Sequence, residues 1–188
     1  MNVNNRLLAV STVFLFATLA NTFGETHRMV LFESSHGSDL SVWEIENDTV
    51  MGGRSQSSLT LSPSGAALFS GTVSLDNNGG FASIQYHFPT RKIDGFTVAK
   101  IRLRGDGKRY LFLVEAEARA RHYYVGEFQT SGEWETVQIV LSDMIAVWRG
   151  DRLDQPNFAG ETLAQVRVMI ANQTRETFEI EISQVWLE

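Results

Sequence analysis

The side chains best suited to acid–base chemistry are glutamates that recur at every second position. Such pairs include Glu115 with Glu117, Glu133 with Glu135, and Glu179 with Glu181. Residues two apart on a β-strand share one face, so each pair projects from one side of a single strand. A glycosidase instead needs two carboxylates about 5 to 10 Å apart across a cleft. The pairs are therefore predicted to be solvated strand-face residues, and no catalytic residue is predicted.

Other motifs for catalysis or metal binding are missing from the sequence. There is no G-x-S-x-G nucleophile elbow, no P-loop and no dinucleotide-binding fingerprint. The chain has no Cys, which excludes a thiol nucleophile and a zinc–thiolate site. The four histidines are dispersed, at His27, His36, His87 and His122. The sequence thus predicts a protein that is not an enzyme and that has no cofactor and no metal site.

One metal alternative remains at the level of sequence. Calcium takes oxygen ligands from loops, and Asp48, Asp76 and Asp106 all lie in predicted loops. No D-x-D-x-D array accompanies them, so a structural calcium ion stays an open alternative.

The charge balance argues against nucleic acid as a partner. Sixteen Lys and Arg stand against 22 Asp and Glu, which gives a formal net charge of −6. A general nucleic-acid binder needs excess positive charge to displace counterions from phosphates. Nucleic-acid binding is therefore not predicted.

The N-terminus has the layout of a secretory signal peptide. Arg6 precedes an uncharged apolar run over residues 7–20, and polar residues follow at once. We predict a signal peptide over residues 1–20, with cleavage after Ala20 or as late as Gly24. The apolar run is about 14 residues, shorter than the roughly 20 that span a bilayer, so no permanent membrane anchor is predicted. The mature protein is expected to be exported, to the periplasm or the exterior, as one domain over residues 25–188.

The elements that would position any site are predicted to be β-strands. Apolar and polar residues alternate in many short segments, and turn sequences such as Asn78-Gly79 and Asp106-Gly107 separate them. Strands are predicted at Met29–Phe32, Val42–Ile45, Ala67–Leu75, Ala82–Phe88, 100–104, Tyr110–Val114, His122–Phe128, 136–141, 165–170 and 178–182. Residues 115–121 form either a helical turn or a loop. The pattern predicts an all-β sandwich or jelly roll.

Two segments rich in glycine and asparagine are the most distinctive part of the sequence. The first runs from Trp43 to Ser57 and contains Gly52-Gly53, and the second runs from Phe69 to Ser83 and contains Asn77-Asn78-Gly79-Gly80. Asparagine and glycine tolerate the positive φ angles of tight turns, and paired glycines permit a close approach between chain segments. These residues are predicted to set the shape of two loops.

The same segments resemble the complex I intermediate-associated protein 30 family. The first carries Trp43, Asn47-Asp48, residues 50–53, Ser55 and Ser57; the second carries Phe69, Gly71, residues 73–75 and residues 77–83. Similarity continues through residues 104–107, Tyr124, Phe128, Thr130, Trp134, Arg149-Gly150, residues 170–171 and residues 178–182. It covers about Leu31 to Leu187 and implies a galactose-binding-like jelly roll. Residues 172–174 replace the Asp-Lys-Gln run that is common in the family.

The resemblance implies a role in binding or assembly. The best-known family member is an assembly factor for respiratory complex I and acts in the mitochondrion. An exported protein would not enter that compartment. We therefore predict a non-catalytic binding or assembly-factor-like module that acts outside the cytoplasm through a protein partner. The candidate binding residues are Asn47, Asp48, Met51, Gly52, Gly53, Ser55, Asn77, Asn78, Gly79, Gly80, Arg104, Trp148 and Arg149.

The alternative is a carbohydrate-binding module of the jelly-roll type. Sugar binding needs an aromatic platform flanked by amide, carboxylate and Arg groups, and Tyr123, Trp148-Arg149, Asn77 and Asn78 are candidates for it. Arg104 and Arg149 are predicted to make buried or bidentate contacts in either case.

Overall fold

β-Strands make up almost all of the regular structure in residues 27–188, which are the residues that the computed structural model describes. The predicted signal peptide lies outside them. The strands are β1 (Met29–Glu33), β2 (Trp43–Asn47), β3 (Gln56–Leu61), β4 (Ala67–Val73), β5 (Ala82–Lys92), β6 (Val98–Arg104), β7 (Arg109–Glu115), β8 (Tyr123–Gln129), β9 (Trp134–Val140), β10 (Ile145–Trp148), β11 (Asp151–Arg152), β12 (Thr162–Ile170) and β13 (Glu176–Leu187). Three short 3-10 helices occupy Asp48–Met51, Asp76–Asn78 and Leu141–Asp143. None of the helices within residues 27–188 is long and apolar enough to cross a membrane.

Two antiparallel sheets pack face to face. One has six strands in the order β3-β4-β13-β6-β9, with β1 paired to β13 beside them. The other has seven strands in the order β11-β10-β8-β7-β12-β5-β2. Strands that are neighbours in sequence are mostly not neighbours in a sheet, as expected when a chain winds between the two layers of a jelly roll. The prediction of an all-β jelly-roll sandwich is confirmed.

The apolar members of the alternating segments form one core between the sheets. Phe69 and Ile180 face inward from the six-stranded sheet, Phe112 and Val168 face inward from the other, and all four are fully buried. Trp43 packs edge-on against Phe32, with ring centroids 5.1 Å apart. In the strands that the period-two pattern predicted, such as β4, β12 and β13, the apolar members face the core.

The sequence pattern missed three short or polar strands. β3 has the sequence QSSLTL at the edge of its sheet, and serine-rich strands give little apolar alternation. β10 and β11 have only four and two residues. Residues 116–122 form bends and turns and contain no helix, which settles the alternative that the sequence left open there.

Candidate ligand-binding face

The two glycine-rich loops converge on the carboxylate of Asp48. Asp48 follows β2, is fully buried and accepts the backbone N–H of Ser55 (2.9 Å) and of Gly80 (2.7 Å). The Ser55 hydroxyl donates to the same carboxylate, and Ser55 Oγ in turn accepts the backbone N–H of Ser74 at 2.9 Å. A weaker bond comes from the backbone N–H of Phe81 at 3.3 Å. One buried side chain therefore ties β3, β4 and β5 together through their loops.

The glycines leave the space that this carboxylate needs. A Cβ atom on Gly53 would lie 2.4 Å from Asp48 Cγ, and one on Gly79 would lie 2.5 Å from Asp48 Oδ2. Gly52 has a φ of +89°, in the region where L side chains are strained. Asn77 joins the two loops directly, because its side-chain amide donates to Gly52 O at 3.0 Å.

Hydrogen bonds stabilise the charged form of Asp48. Burial alone would raise the pKa of this carboxyl, but the donors from Ser55, Gly80 and Phe81 outweigh it and hold the pKa below the usual value. With its oxygens occupied by protein donors, Asp48 has the contacts of an internal loop anchor. Asp76 forms an ion pair with Arg175 at 2.7 Å, and Asp106 Oδ2 accepts a hydrogen bond from the Lys108 ammonium at 2.6 Å. The three aspartates considered as calcium ligands therefore already have protein partners.

Of the remaining predicted site residues, Asn47 and Met51 belong to the first loop, whereas Arg104, Trp148 and Arg149 lie elsewhere. Asn47 accepts a hydrogen bond from Ser57 Oγ at 2.8 Å, and Arg104 pairs with the buried carboxylate of Glu181. Trp148 and Arg149 lie at the opposite end of the sandwich, because β8 and β10 pair there through Tyr123 and Val147. Arg149 lies over the Trp148 ring at 5.4 Å. Met51 lies at the tip of the first loop with 62% of its surface exposed, next to Val50 at 67%.

A different set of polar residues is concentrated on the outer face of the seven-stranded sheet. The strand registers align them in two adjacent rows across β5, β12, β7 and β8. One row contains Gln85, Arg167, Leu113 and Val125, and the other contains His87, Gln165, Glu115 and Tyr123. Gln85, Gln165, Arg167 and Glu115 are all buried although they point away from the core. We call the outward side of this sheet the polar face.

Arg167 organises the polar face. Its guanidinium donates to Glu46 Oε2 at 3.0 Å, to the Tyr123 hydroxyl at 3.1 Å and to Gln85 Oε1, and lies 4.7 Å from the Tyr123 ring centroid. Its buried Nε has no hydrogen-bond partner within residues 27–188. The buried guanidinium therefore holds Glu46 and Tyr123, which are both partly exposed, in fixed positions.

The polar contacts continue from Arg167 through Gln85 and Gln165 to Glu115. Because Arg167 only donates, it turns Gln85 Oε1 toward itself, and the Gln165 amide then donates to the same oxygen at 2.9 Å. The Gln165 amide also lies 2.7 Å from Glu115 Oε1, and with its oxygen and nitrogen exchanged it donates to that carboxyl. Burial raises the pKa of Glu115, although the Tyr123 hydroxyl, His87 and Arg167 oppose it.

An aliphatic area adjoins the polar cluster on the same face. Leu113 is aligned with Val125 of β8, which is aligned with Ile145 of β10, and Tyr123 is aligned with Val147. Val125, Ile145 and Val147 are half-buried on the outside of the sheet. The face therefore offers fixed hydrogen-bonding groups beside an apolar floor, which is the combination that small polar ligands require.

Of this cluster, the sequence pointed to Tyr123 alone as a site candidate. Gln165 and Arg167 alternate with the apolar residues of β12, so period two predicted that they face water. The sequence does place charged or amide residues at outward positions on four strands that are neighbours in the sheet. The order of strands in a sheet cannot be read from the alternation of apolar and polar residues, so the cluster could not be predicted.

The two sheets form a galactose-binding-like jelly roll, a fold shared with solved carbohydrate-binding modules. Two solved structures of a family 11 carbohydrate-binding module from Clostridium thermocellum are similar. One is in complex with a beta-1,3-1,4-mixed-linked tetrasaccharide (TM-score 0.59, 13% identity, 85% of this chain and 94% of that one). The other is the module of the cellulosomal cellulase Lic26A-Cel5E, with a TM-score of 0.59 and 14% identity; the match covers 86% of this chain and 94% of that module. The agarase AgWH50C matches over 24% of its own length and 86% of this chain, with a TM-score of 0.57 and 8% identity.

Sequence comparison assigns the family. The model of the complex I intermediate-associated protein 30 (CIA30) family matches residues 30–182. The chain belongs to this family. Comparison with curated protein sequences gives no significant match.

Proposed function

We propose that this protein is a non-catalytic module that binds carbohydrate on the polar face of the seven-stranded sheet. The observation that carries the proposal is the buried cluster of Arg167, Gln85, Gln165 and Glu115 on an outward-facing sheet surface. Outward polar side chains normally remain solvated and mobile. Here they are held by one another, so little conformational entropy is lost when a ligand binds.

The chemistry of the face matches that of a sugar ring. A pyranose has hydroxyl groups around its edge and C–H groups on its faces, so it needs donors and acceptors beside an apolar surface. Glu46 and Tyr123, which the buried Arg167 holds in place, supply hydrogen-bonding groups at the surface, and Val125 and Val147 supply the apolar floor. The fold shared with carbohydrate-binding modules agrees with this assignment without identifying the sugar.

A pair of matched variants tests the proposal. The protein is screened against a panel of soluble oligosaccharides, and hits are quantified by isothermal titration calorimetry. Val147→Glu places a charge on the apolar floor and is expected to weaken binding at least about tenfold. The control is Val140→Glu, which makes the same change at an exposed position on β9 in the other sheet and should bind as the wild type does. A folded protein that binds no glycan, or equal losses in both variants, would reject the proposal.

A protein partner is the second candidate function, and the exposed apolar loop tip favours it. Val50 and Met51 project from the loop that Asp48 anchors, with exposed fractions of 67% and 62%. Rigidly held apolar side chains at a loop tip are suited to docking on another protein. Met51→Glu should abolish capture of a specific partner from the native extracellular or envelope fraction. Val42→Glu, at the opposite end of the sandwich, should leave capture intact; loss in both would contradict a loop-tip site.

We further propose that the protein acts outside the cytoplasm. The support is the pattern of Arg6 followed by the apolar run over residues 7–20. N-terminal sequencing of the protein from the native host tests this, with a mature end after Ala20 or Gly24 as the expected result. Recovery of the intact N-terminus from the cytoplasmic fraction would refute it.

A further inference from the structure

A groove on the outer face of the six-stranded sheet lies on the opposite side of the sandwich from the polar face. It has a volume of about 350 Å³ and is lined by Ser34, Ser64, Ala66, Arg102, Trp134 and Ser183. Ser183 occupies an irregularity in the pairing of β13 with β6, where the register shifts between Ile182 and Gln184. Such bulges turn a side chain away from its regular direction and are frequent beside binding sites.

The groove contains a cation that lacks an acidic partner. β6 presents Lys100, Arg102 and Arg104 on its outer side. Lys100 forms an ion pair with Glu188, and Arg104 forms one with Glu181. Arg102 makes no ion pair and no side-chain hydrogen bond within residues 27–188, although its guanidinium lies 5.7 Å from the Trp134 ring centroid. Arg102 is half-buried, so its charge is only partly solvated. A negatively charged ligand would compensate that charge.

The serines of the groove are arranged to accept hydrogen bonds from a ligand. Ser34 Oγ donates to Ile182 O at 3.1 Å, Ser183 Oγ donates to Arg102 O at 3.2 Å, and Ser64 Oγ donates to Glu181 Oε2 at 2.7 Å. Each hydroxyl proton is therefore committed to the protein. Ser34 Oγ also accepts the backbone N–H of Ala67 at 3.3 Å and Ser64 Oγ lies 2.8 Å from Ser62 Oγ, so each of these two oxygens keeps one lone pair for a ligand. Ser183 Oγ accepts no hydrogen bond within residues 27–188. The ligand that fits must carry hydroxyl donors as well as an anion.

We propose that this groove binds an acidic sugar, with the carboxylate on Arg102 and the hydroxyls on Ser34, Ser64 and Ser183. The indole of Trp134 forms a wall suited to the C–H face of the ring. Inorganic anions lack the hydroxyl donors, and neutral sugars lack the partner for Arg102, so neither satisfies the whole groove. The nearby Glu181 is neutralised by Arg104 and does not oppose the ligand. The site is separate from the polar face and does not depend on the function proposed for it.

The test compares three probes on the isotope-labelled protein by NMR. Glucuronate, glucose and inorganic sulfate are titrated separately, and the indole N–H resonance of Trp134, assigned with Trp134→Phe, reports on the groove. Glucuronate is expected to shift this resonance in a saturable way and to bind at least about tenfold more tightly than glucose or sulfate. Equal binding of sulfate, equal binding of glucose, or no shift of the Trp134 signal would each overturn the proposal.

Two variants separate this groove from general charge effects and from the polar face. Arg102→Gln should weaken glucuronate binding by about ten- to a hundredfold, since one charge-assisted contact is lost. Arg175→Gln removes an equal charge at an exposed site that pairs with Asp76, and should have no effect. Val147→Glu, which is expected to disable the polar face, should also leave glucuronate binding unchanged. Wild-type affinity in Arg102→Gln, or a comparable loss in either of the other variants, would refute the assignment to the groove.

Discussion

Replacing Asp48 by Asn should destabilise the protein strongly although the two side chains have the same shape. The carboxylate accepts backbone N–H groups of Ser55 and Gly80 and the hydroxyl of Ser55. An amide can offer only one oxygen, so its NH₂ group must face a buried donor. If the oxygen replaces Oδ2, the N–H of Ser55 is left without an acceptor, and the other bonds lose their charge assistance.

The magnitude follows from these contacts. One unsatisfied buried N–H costs about 1–3 kcal/mol, and weakening two charge-assisted bonds to neutral ones costs about 1 kcal/mol each. Asp48→Asn is therefore expected to lower the free energy of unfolding by about 3–5 kcal/mol. For a domain of this size that corresponds to a fall in Tm of roughly 10 °C, measured by calorimetry and by urea unfolding at neutral pH.

The dependence on pH provides a second measure of the same effect. The folded-state pKa of Asp48 lies below its ordinary value of 3.8, so the contribution to stability is present above that pH. It is lost as the pH falls through the lower, folded-state pKa, because protonation removes the acceptor. The stability difference between wild type and Asp48→Asn should thus shrink below about pH 4. Taking the difference removes the contributions of other carboxylates that also titrate there.

A matched control distinguishes the anchor from a general loss of negative charge. Asp76→Asn changes the same chemical group in the neighbouring loop, where the side chain is 45% exposed and pairs with Arg175. Exposed ion pairs contribute about 0–1 kcal/mol, so this variant should remain close to wild type. If Asp48→Asn also stayed within about 0.5 kcal/mol of wild type, the anchoring role derived from its hydrogen bonds would be wrong.

Two further changes test the loop packing and the polar face. Gly53→Ala places a Cβ atom 2.4 Å from Asp48 Cγ and should cost about 2–4 kcal/mol in urea unfolding; a cost below about 1 kcal/mol would contradict the packing argument. Glu115→Gln places a neutral side chain at this buried position at every pH, whereas wild type must bury a charge once the pH rises above 4.5 and through the raised folded-state pKa of Glu115. The variant should therefore be more stable than wild type at pH 8 and should match it near pH 4, and identical pH profiles in unfolding experiments would contradict the raised pKa.

Several of the residues that carry the family resemblance make the contacts that hold the two glycine-rich loops together. Asp48, Gly53, Ser55 and Gly79 are close in space because a buried carboxylate requires donors around it and small residues beside it. The sequence could indicate that these positions belong together, because the motif spans both loops. It could not distinguish an internal anchor from a recognition surface, since both use polar residues and glycine in turns.

The alternation of apolar and polar residues was sufficient by itself to determine the all-β class and most of the strands. Alternation is a local consequence of strand geometry, so it can be recognised in the sequence of each strand by itself. Sheet order is not local. β12 lies between β5 and β7 only in the tertiary structure, and that placement brings Arg167 beside Gln85 and aligns Gln165 with Glu115. The candidate sites on both outer faces therefore depend on pairings between residues distant in sequence, whose energies no single segment contains.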